Sequence, residues 1–322
     1  MRIIFFGTTR FSAVILRALV ERRPGEIIAV VTQPDRPAGR GRRLHEPEAK
    51  KLAAALGLVI HAPEDPNATP FVSILESLQA DLFAVAAYGH LLRPSLLAAP
   101  AGGCVNVHAS LLPRYRGAAP IHHALINGET ETGITTIWMD ERMDAGDIIL
   151  QRTLPIGPDD NVETLEGKLA ELGAEVLLET LRLIEQGRAP RIAQDESQVT
   201  YAPPLTPARA EINWSLSAER IIALVRGASP RPGAYTFHRG KRLKVLRARA
   251  CENPPRQEGT PAGIVEMSPQ GVVVRAGAGA VVLVEVQPEG GRAMSGAEYA
   301  RGYRPERGEV LGGAQVPGGA QG

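Results

Sequence analysis

Short apolar runs alternate with helically spaced ones along the first half of the chain. "RIIFFG" (2–7) and "IIAVVTQ" (27–33) are rich in Ile, Val and Phe and read as strands. Between them "SAVILRALVERR" repeats its apolar residues with a helical period, with Ser12 as the candidate cap. "LVIHA" (58–62), "DLFAVAAYG" (81–89) and "GCVNVHAS" (103–110) continue the strand series, and helices are predicted around 47–56 and 70–79. Near-continuous apolar strands separated by helices predict an α/β architecture, a mostly parallel sheet covered on both faces. Right-handed crossovers bring the strand C-termini to one edge, where such sheets bind ligands.

Two further extended runs, "GITTIWMD" (133–140) and "DIILQRTLPI" (147–156), flank the turn "ERMDAG", and a long helix is predicted over about 161–186, ended by Gly187 and Pro190. The pattern divides the chain into a domain over 1–187, a Pro-rich polar linker over 188–206, a second domain over 207–312 and a disordered tail over 313–322. In the second domain one helix, "SAERIIALVRG", leads into short strands such as "KRLKVLRARAC", "GVVVRAG" and "AVVLVEVQP". Short strands broken by turn residues suggest a small β-barrel or a sandwich.

At 322 residues two domains are also what length alone leads one to expect. No apolar stretch approaches the roughly 20 residues that span a bilayer, so no membrane partner is expected. The chain opens on "MRIIFFG" without a basic leader, and Cys104 and Cys251 are its only cysteines. That usage points to a reducing compartment, and the expectation is a cytoplasmic protein, by default a monomer. The net charge of +1 hides an asymmetry: 20 basic against 25 acidic residues through Thr206, then 16 against 10. A basic domain beside an acidic one is a hint of a polyanionic partner, and ordinary surface variation accounts for it equally well.

Candidate chemistry begins in "CVNVHAS". Residues two apart in a strand share a face, so Asn106 and His108 point together while Val105 and Val107 oppose them. Taken alone, such a pair can simply satisfy itself or the backbone. The turn "DERMDAGD" shifts the balance, because it gathers Asp140, Glu141, Asp144 and Asp147 around one glycine. A carboxylate beside an imidazole favours its protonated form and fixes its tautomer. An amide and an imidazole together can hold a developing oxyanion. Asn, His and Asp would then suffice for acyl transfer to a nucleophile that the substrate supplies. Covalent nucleophiles fit less well: Cys104 starts its strand, and Ser110 lacks a G-x-S-x-G elbow. His122 and His123 are adjacent rather than spaced as a helical ligand pair, so no metal is expected. The first loop, "FFGTTRF", lacks G-x-G-x-x-G and does not indicate a nucleotide cofactor.

The stretch "PDRPAGRGRRLHEP" (34–47) follows the second strand and carries Arg36, Arg40, Arg42 and Arg43 with two glycines and no acid between them. Guanidinium forks suit phosphates, and glycines allow close approach to a nucleic-acid backbone. A solvated mobile loop is the alternative, although the stretch is long for a connector.

Taken together, these motifs resemble the folate-dependent formyltransferases. "NVHASLLPRYRGAAPIHHALINGETETGITTIWMDERMDAGDII" is similar to that family's signature region. "SLLPRYRGAAP", "TQPDRPAGRGRRL", "FGTTRFSA", "VAAYGHLLRP", "PRPGAYT" and "VQPEGGRAMSGAEYARG" look like its methionyl-tRNA branch, from residue 1 to about 312. The resemblance implies a Rossmann-like sheet domain followed by a small OB-like β-barrel that binds tRNA. It implies transfer of formyl from 10-formyltetrahydrofolate to the α-amine of methionyl initiator tRNA, by direct amine attack through a tetrahedral intermediate. Matched by motif, Asn106, His108 and Asp144 form the catalytic set. The folate would lie along Ala87, Tyr88, Gly89, His90, Leu91 and Leu92, along Ser110, Leu111, Leu112 and Pro113, and beside the Asp144 turn. Arg36, Arg40, Arg42 and Arg43 would form the tRNA-reading loop, with Arg40 entering the acceptor end. The chain departs from the family pattern at Thr9, Arg10, Pro204 and Arg231, and "EGGRAMS" lacks one basic position; none of these touches the catalytic set. Other readings are a formyltransferase acting on glycinamide ribonucleotide, one acting on a sugar nucleotide, or a non-catalytic RNA-binding module.

Overall fold

The first apolar run becomes β1 (Arg2–Gly7), five of whose six residues are buried, as the central position of a doubly covered sheet requires. The computed structural model describes residues 1–38, 43–252 and 260–313, which fall into two compact units. The first comprises 1–120, 131–155 and 165–203, the second 121–130, 156–164 and the chain from 204.

In the first unit α1 (Arg10–Arg22) leads to β2 (Glu26–Val31). Thr9 is the N-cap of α1, so Ser12 lies inside the first turn, buried and donating back to the Thr9 carbonyl, rather than capping the helix. The Arg-rich stretch is not an open loop along its described length. It forms a hairpin of β3 (Arg36–Ala38) and β4 (Arg43–His45), with Arg36 opposite His45. Then come α2 (Glu48–Ala55), β5 (Ile60–His61), α3 (Thr69–Ser77), β6 (Leu82–Ala86), the short α4 (Pro94–Leu97) and β7 (Cys104–His108), followed in the chain by α5 (Pro120–Ile126), which from Ile121 onward belongs to the second unit. The hairpin of β8 (Glu131–Trp138) and β9 (Ile148–Pro155) is followed by α6 (Val162–Glu185). Asn161 and Thr164 exchange side-chain-to-backbone hydrogen bonds at the start of α6, and the chain leaves it through Gly187, as predicted.

The sheet order is β5-β2-β1-β6-β7-β8-β9. Its first five strands are parallel, and β8 and β9 continue it antiparallel. Ile4, Phe6, Phe83, Val85 and Tyr88 belong to a core on one face. On the other, α6 approaches through Gly173, where an added Cβ would lie 3.3–3.4 Å from Ile15, Val107 and Phe11. Burying Val105 and Val107 completely is worth about 1.5–3 kcal/mol each, and it turns the alternate residues of β7, Asn106 and His108, to one side.

The second unit carries α7 (Ala218–Ala228), then β10 (Ala234–His238), β11 (Lys241–Ala250), β12 (Ile264–Ser268), β13 (Gly271–Arg275), β14 (Ala280–Pro288), β15 (Met294–Ser295) and α8 (Gly296–Tyr303). Where a small β-barrel or sandwich is expected, the strands form an antiparallel sheet, in the order β10-β11-β14-β13-β12 with β15 beside β14. α7 fits closely on α5: an added Cβ at Gly227 would lie 2.5 Å from Ile126, and the Gly227 carbonyl accepts from His122 Nδ1 at 2.8 Å. Arg226 donates to the carbonyls of Asp160 and Gly157 at 2.7 and 2.6 Å. Segments 121–130 and 156–164 therefore belong to this unit although they interrupt the chain of the first.

In the same unit the Arg239 guanidinium, the Glu306 amide and the His238 ring surround Glu309 and hold its carboxyl down to about 2, from an ordinary 4.5. A carboxyl lowered by folding contributes stability above its unfolded value and loses it as pH falls towards the folded one. Between pH 4.5 and 2, calorimetry on the full chain should show the unfolding midpoint falling more steeply for the parent than for Glu309→Gln.

Candidate active site

β7 ends on His108 at the C-terminal edge of the parallel strands, with Asn106 half-buried and His108 buried on its polar face. β8 runs antiparallel to it, and its last residue, Trp138, lies opposite Val105, towards the start of β7. The loop after β8 must therefore fold back to bring a carboxylate to His108. Gly146 permits this fold, because a Cβ there would stand 1.7 Å from the Trp138 carbonyl oxygen.

Of the four acids in the turn, the fold selects Asp144. Its Oδ1 lies 3.4 Å from Asn106 Nδ2 and 3.6 Å from His108 Nδ1, and its Oδ2 accepts from the Gly117 amide at 2.8 Å. Asp140 instead pairs with Arg142, Asp147 lies 3.8 Å from Arg191, and Glu141 is exposed. The Asn106 and His108 approaches are longer than strong hydrogen bonds, as is common before substrate draws such groups together. The amide therefore keeps donor capacity for a ligand.

His108 Nε2 lies 2.9 Å from the Tyr115 carbonyl. A carbonyl oxygen only accepts, so Nε2 carries the hydrogen, and Nδ1 faces Asp144. Tyr115 (φ 64°) and Asp144 (φ 52°) both occupy the left-handed region, and Gly117 has φ 122°. Strain of about 1–3 kcal/mol per non-glycine residue persists only where surrounding structure enforces it. Here the enforcement is visible. The Tyr115 amide donates to Thr200 Oγ1 at 2.9 Å, and Arg116 exchanges backbone hydrogen bonds with Thr200 and Ala202. Through residue 203 the run read as a linker thus packs on the first unit.

The residues matched to folate divide. After β6, Ala87, Gly89 and Leu91 are exposed, His90 is intermediate, and Tyr88 and Leu92 are buried. Tyr88 packs edge-on against Phe6, its carbonyl accepts from Thr8 and Gln33, and burial pushes its hydroxyl above the ordinary range. Ser110 and Leu112 are buried and use their polar groups internally: Ser110 Oγ donates to the Arg114 carbonyl, and Leu112 bonds Thr135 and Gln151. Leu111 and Pro113 remain partly exposed.

Arg36 pairs with Glu64 at 3.0 Å on the surface, an ion pair a polyanion can displace at little cost, and Arg43 lies on β4. Arg40 and Arg42 lie outside the described residues. Burial pushes the Cys104 thiol up to about 12, which removes it as a thiolate nucleophile. Among the described residues no group of three or more His, Cys, Asp or Glu side chains could hold a metal, and no helix is long and apolar enough to cross a membrane. Sequence reasoning missed Gly117, the Tyr115 carbonyl, Arg116 and Gln194. The first three lie inside the quoted "PRYRGAAP", whereas nothing in the sequence marks Gln194.

The chain matches two family models, "Formyl transferase" over residues 1–181 and "Formyl transferase, C-terminal domain" over 204–304. A curated relative named methionyl-tRNA formyltransferase, from Moorella thermoacetica, is 48% identical over 312 residues, 97% of this chain and 99% of its own. Another of that name, from Geobacter sulfurreducens, is 44% identical, with 97% of each chain covered. Among solved structures, HypX from Aquifex aeolicus in complex with tetrahydrofolic acid is alike in fold, with TM-score 0.64 and 19% identity over 93% of this chain and 47% of its own. Glycinamide ribonucleotide transformylase 1 from Symbiobacterium toebii reaches TM-score 0.50 and 26% identity, over 60% of this chain and 93% of its own.

Proposed function

The chain belongs to the formyl transferase family, and on that premise we propose that it transfers formyl from 10-formyltetrahydrofolate to the α-amine of methionine esterified to initiator tRNA. The observation that carries the reading is the meeting of the Asn106 amide and the His108 imidazole at one oxygen of Asp144, on the sheet edge where ligands bind. Similarity to the curated relatives runs into the second unit, whereas the glycinamide ribonucleotide enzyme leaves two fifths of this chain uncovered. That difference favours a large acceptor.

The exposed residues Ala87 and Gly89 beside Leu91 fit a pterin, whose ring needs amide partners along its edge and apolar walls. Bound there, 10-formyltetrahydrofolate supplies the formyl carbon that the substrate amine attacks. Asn106 Nδ2 donates to the oxygen on which negative charge develops. His108, fixed by its Nε2–H on Tyr115, stabilises the same charge as imidazolium. Asp144 holds His108 and relays the amine proton, through water, to the departing folate N10. One C–N bond forms, one breaks, and no enzyme side chain is acylated.

Arg36, Arg40, Arg42 and Arg43 hold tRNA phosphates together with the positive domain over 207–312, and the protein works as a cytoplasmic monomer. Arg40→Ala is expected to weaken tRNA binding and to reduce the slope of log affinity against log salt by about 1. Unchanged affinity and slope in a filter-binding titration would remove Arg40 from the interface. For the reaction itself, 10-formyltetrahydrofolate is supplied with methionyl initiator tRNA, glycinamide ribonucleotide or no acceptor. Formylated methionyl-tRNA alone is expected; formylated glycinamide ribonucleotide points to the other enzyme, and no product to a binding protein.

A further inference from the structure

We propose that Gln194 is a positioning residue for the Asp144 carboxylate, with Arg116 fixing the orientation of its amide. The inference rests on the reading that Asp144 takes part in formyl transfer. Gln194 Nε2 lies 2.8 Å from the Asp144 carbonyl and 2.8 Å from the Gly146 carbonyl. One amide nitrogen carries two hydrogens, so a single side chain spans the turn that presents Asp144. Its Oε1 faces Arg116 Nη2 at 2.8 Å and Nε at 3.1 Å. Guanidinium nitrogens only donate and carbonyls only accept, which leaves one orientation for the amide.

Arg116 is itself held. Its residue is 4% exposed, its two terminal nitrogens reach Glu196 at 3.0 and 3.2 Å, and its backbone is bonded to Thr200 and Ala202. The Arg116 contact in turn holds the Glu196 carboxyl below its usual range. A buried guanidinium held by an amide oxygen and a carboxylate is costly to displace. Its chain neighbours touch the other two groups, since the Tyr115 carbonyl accepts from His108 and the Gly117 amide donates to Asp144 Oδ2. Arg116 and Gln194 thus lock the Asp144 backbone to the three-residue segment that orients His108. Asp tolerates the left-handed region better than most residues but still favours others, so the lock selects the φ of 52° seen at Asp144.

The test uses Gln194→Met, which keeps the volume and removes both donors, and Gln194→Glu, which keeps an acceptor for Arg116 and loses the amide hydrogens. Each is made alone and with Asp144→Asn in the full chain. We expect either single change to lower kcat for methionyl-tRNA formylation by about tenfold to a hundredfold, with KM for both substrates within about twofold. In the Asp144→Asn background the same changes should cost less than about twofold, because their effect passes through the carboxylate. If Gln194→Glu and Gln194→Met keep full kcat while Asp144→Asn is impaired, the positioning role is wrong. An equal loss in both backgrounds overturns it too, assigning Gln194 to general stability, which thermal unfolding of the single variants reports separately. Full activity of Asp144→Asn alone would instead overturn the underlying reading of Asp144.

Discussion

Asn106→Ala is expected to lower turnover at least about a hundredfold while leaving the thermal midpoint close to that of the parent. Removing one donor to a developing oxyanion costs about 3 kcal/mol in activation free energy, because the group is already oriented where charge appears. Folding should change little, since Asn106 is half-buried and the hydrogen bond from its side chain to Asp144, 3.4 Å, is long. The core face of β7 belongs to Val105 and Val107, which the substitution does not touch. His108→Ala is expected to lose at least as much turnover, with a fold cost as well. It removes the His108 donor from the buried Tyr115 carbonyl, a penalty of about 1–3 kcal/mol. Single-turnover assays beside thermal melts separate the two, and near-normal turnover in the Asn106 variant would remove the oxyanion assignment.

Asp144→Asn has the second large expected effect, a fall in kcat of about 10²–10⁴-fold, the range in which a positioned proton-transfer group usually contributes. The substitution isolates chemistry from fold. Asn tolerates the left-handed backbone at φ 52° as Asp does, and its amide oxygen can still accept from Gly117. What disappears is the charge beside His108 and the oxygen able to take a proton. Asp144→Ala would confound the result, because it also forces a Cβ-bearing residue without a local partner into that conformation. Turnover of the Asn variant within threefold of the parent would move the proton relay elsewhere.

The strand pair and the turn differ in how far the sequence reveals them. Asn106 and His108 are legible because strand periodicity is local: a period of two, apolar on one face, places them together whatever surrounds them. Asp144 is legible only as one of four acids, and resemblance to the family chose among them. The antiparallel pairing of β8 would by itself carry the turn away from His108, and the fold-back through Gly146 returns it. Gln194 is not legible at all. It lies in a Pro-rich run whose composition reads as a linker, and its role depends on bonds to residues 48 and 50 positions earlier. The helix start at Thr9 rather than Ser12, and the β3–β4 hairpin within the Arg-rich stretch, are smaller differences of the same kind.

By itself the sequence determined the mostly parallel α/β sheet, a second domain of short strands, and the strand that presents an amide and an imidazole. These follow from periodicities of 2 and 3.6 residues and from short-range turn chemistry, which are written within a few positions of each other. Only the tertiary structure decided the contacts by which Asp144 faces His108, which ring nitrogen bonds the Tyr115 carbonyl, and that Arg116 and Gln194 clamp the turn. Those outcomes rest on directional bonds between distant segments. Such bonds form only after the sheet has set the distance between the groups that make them.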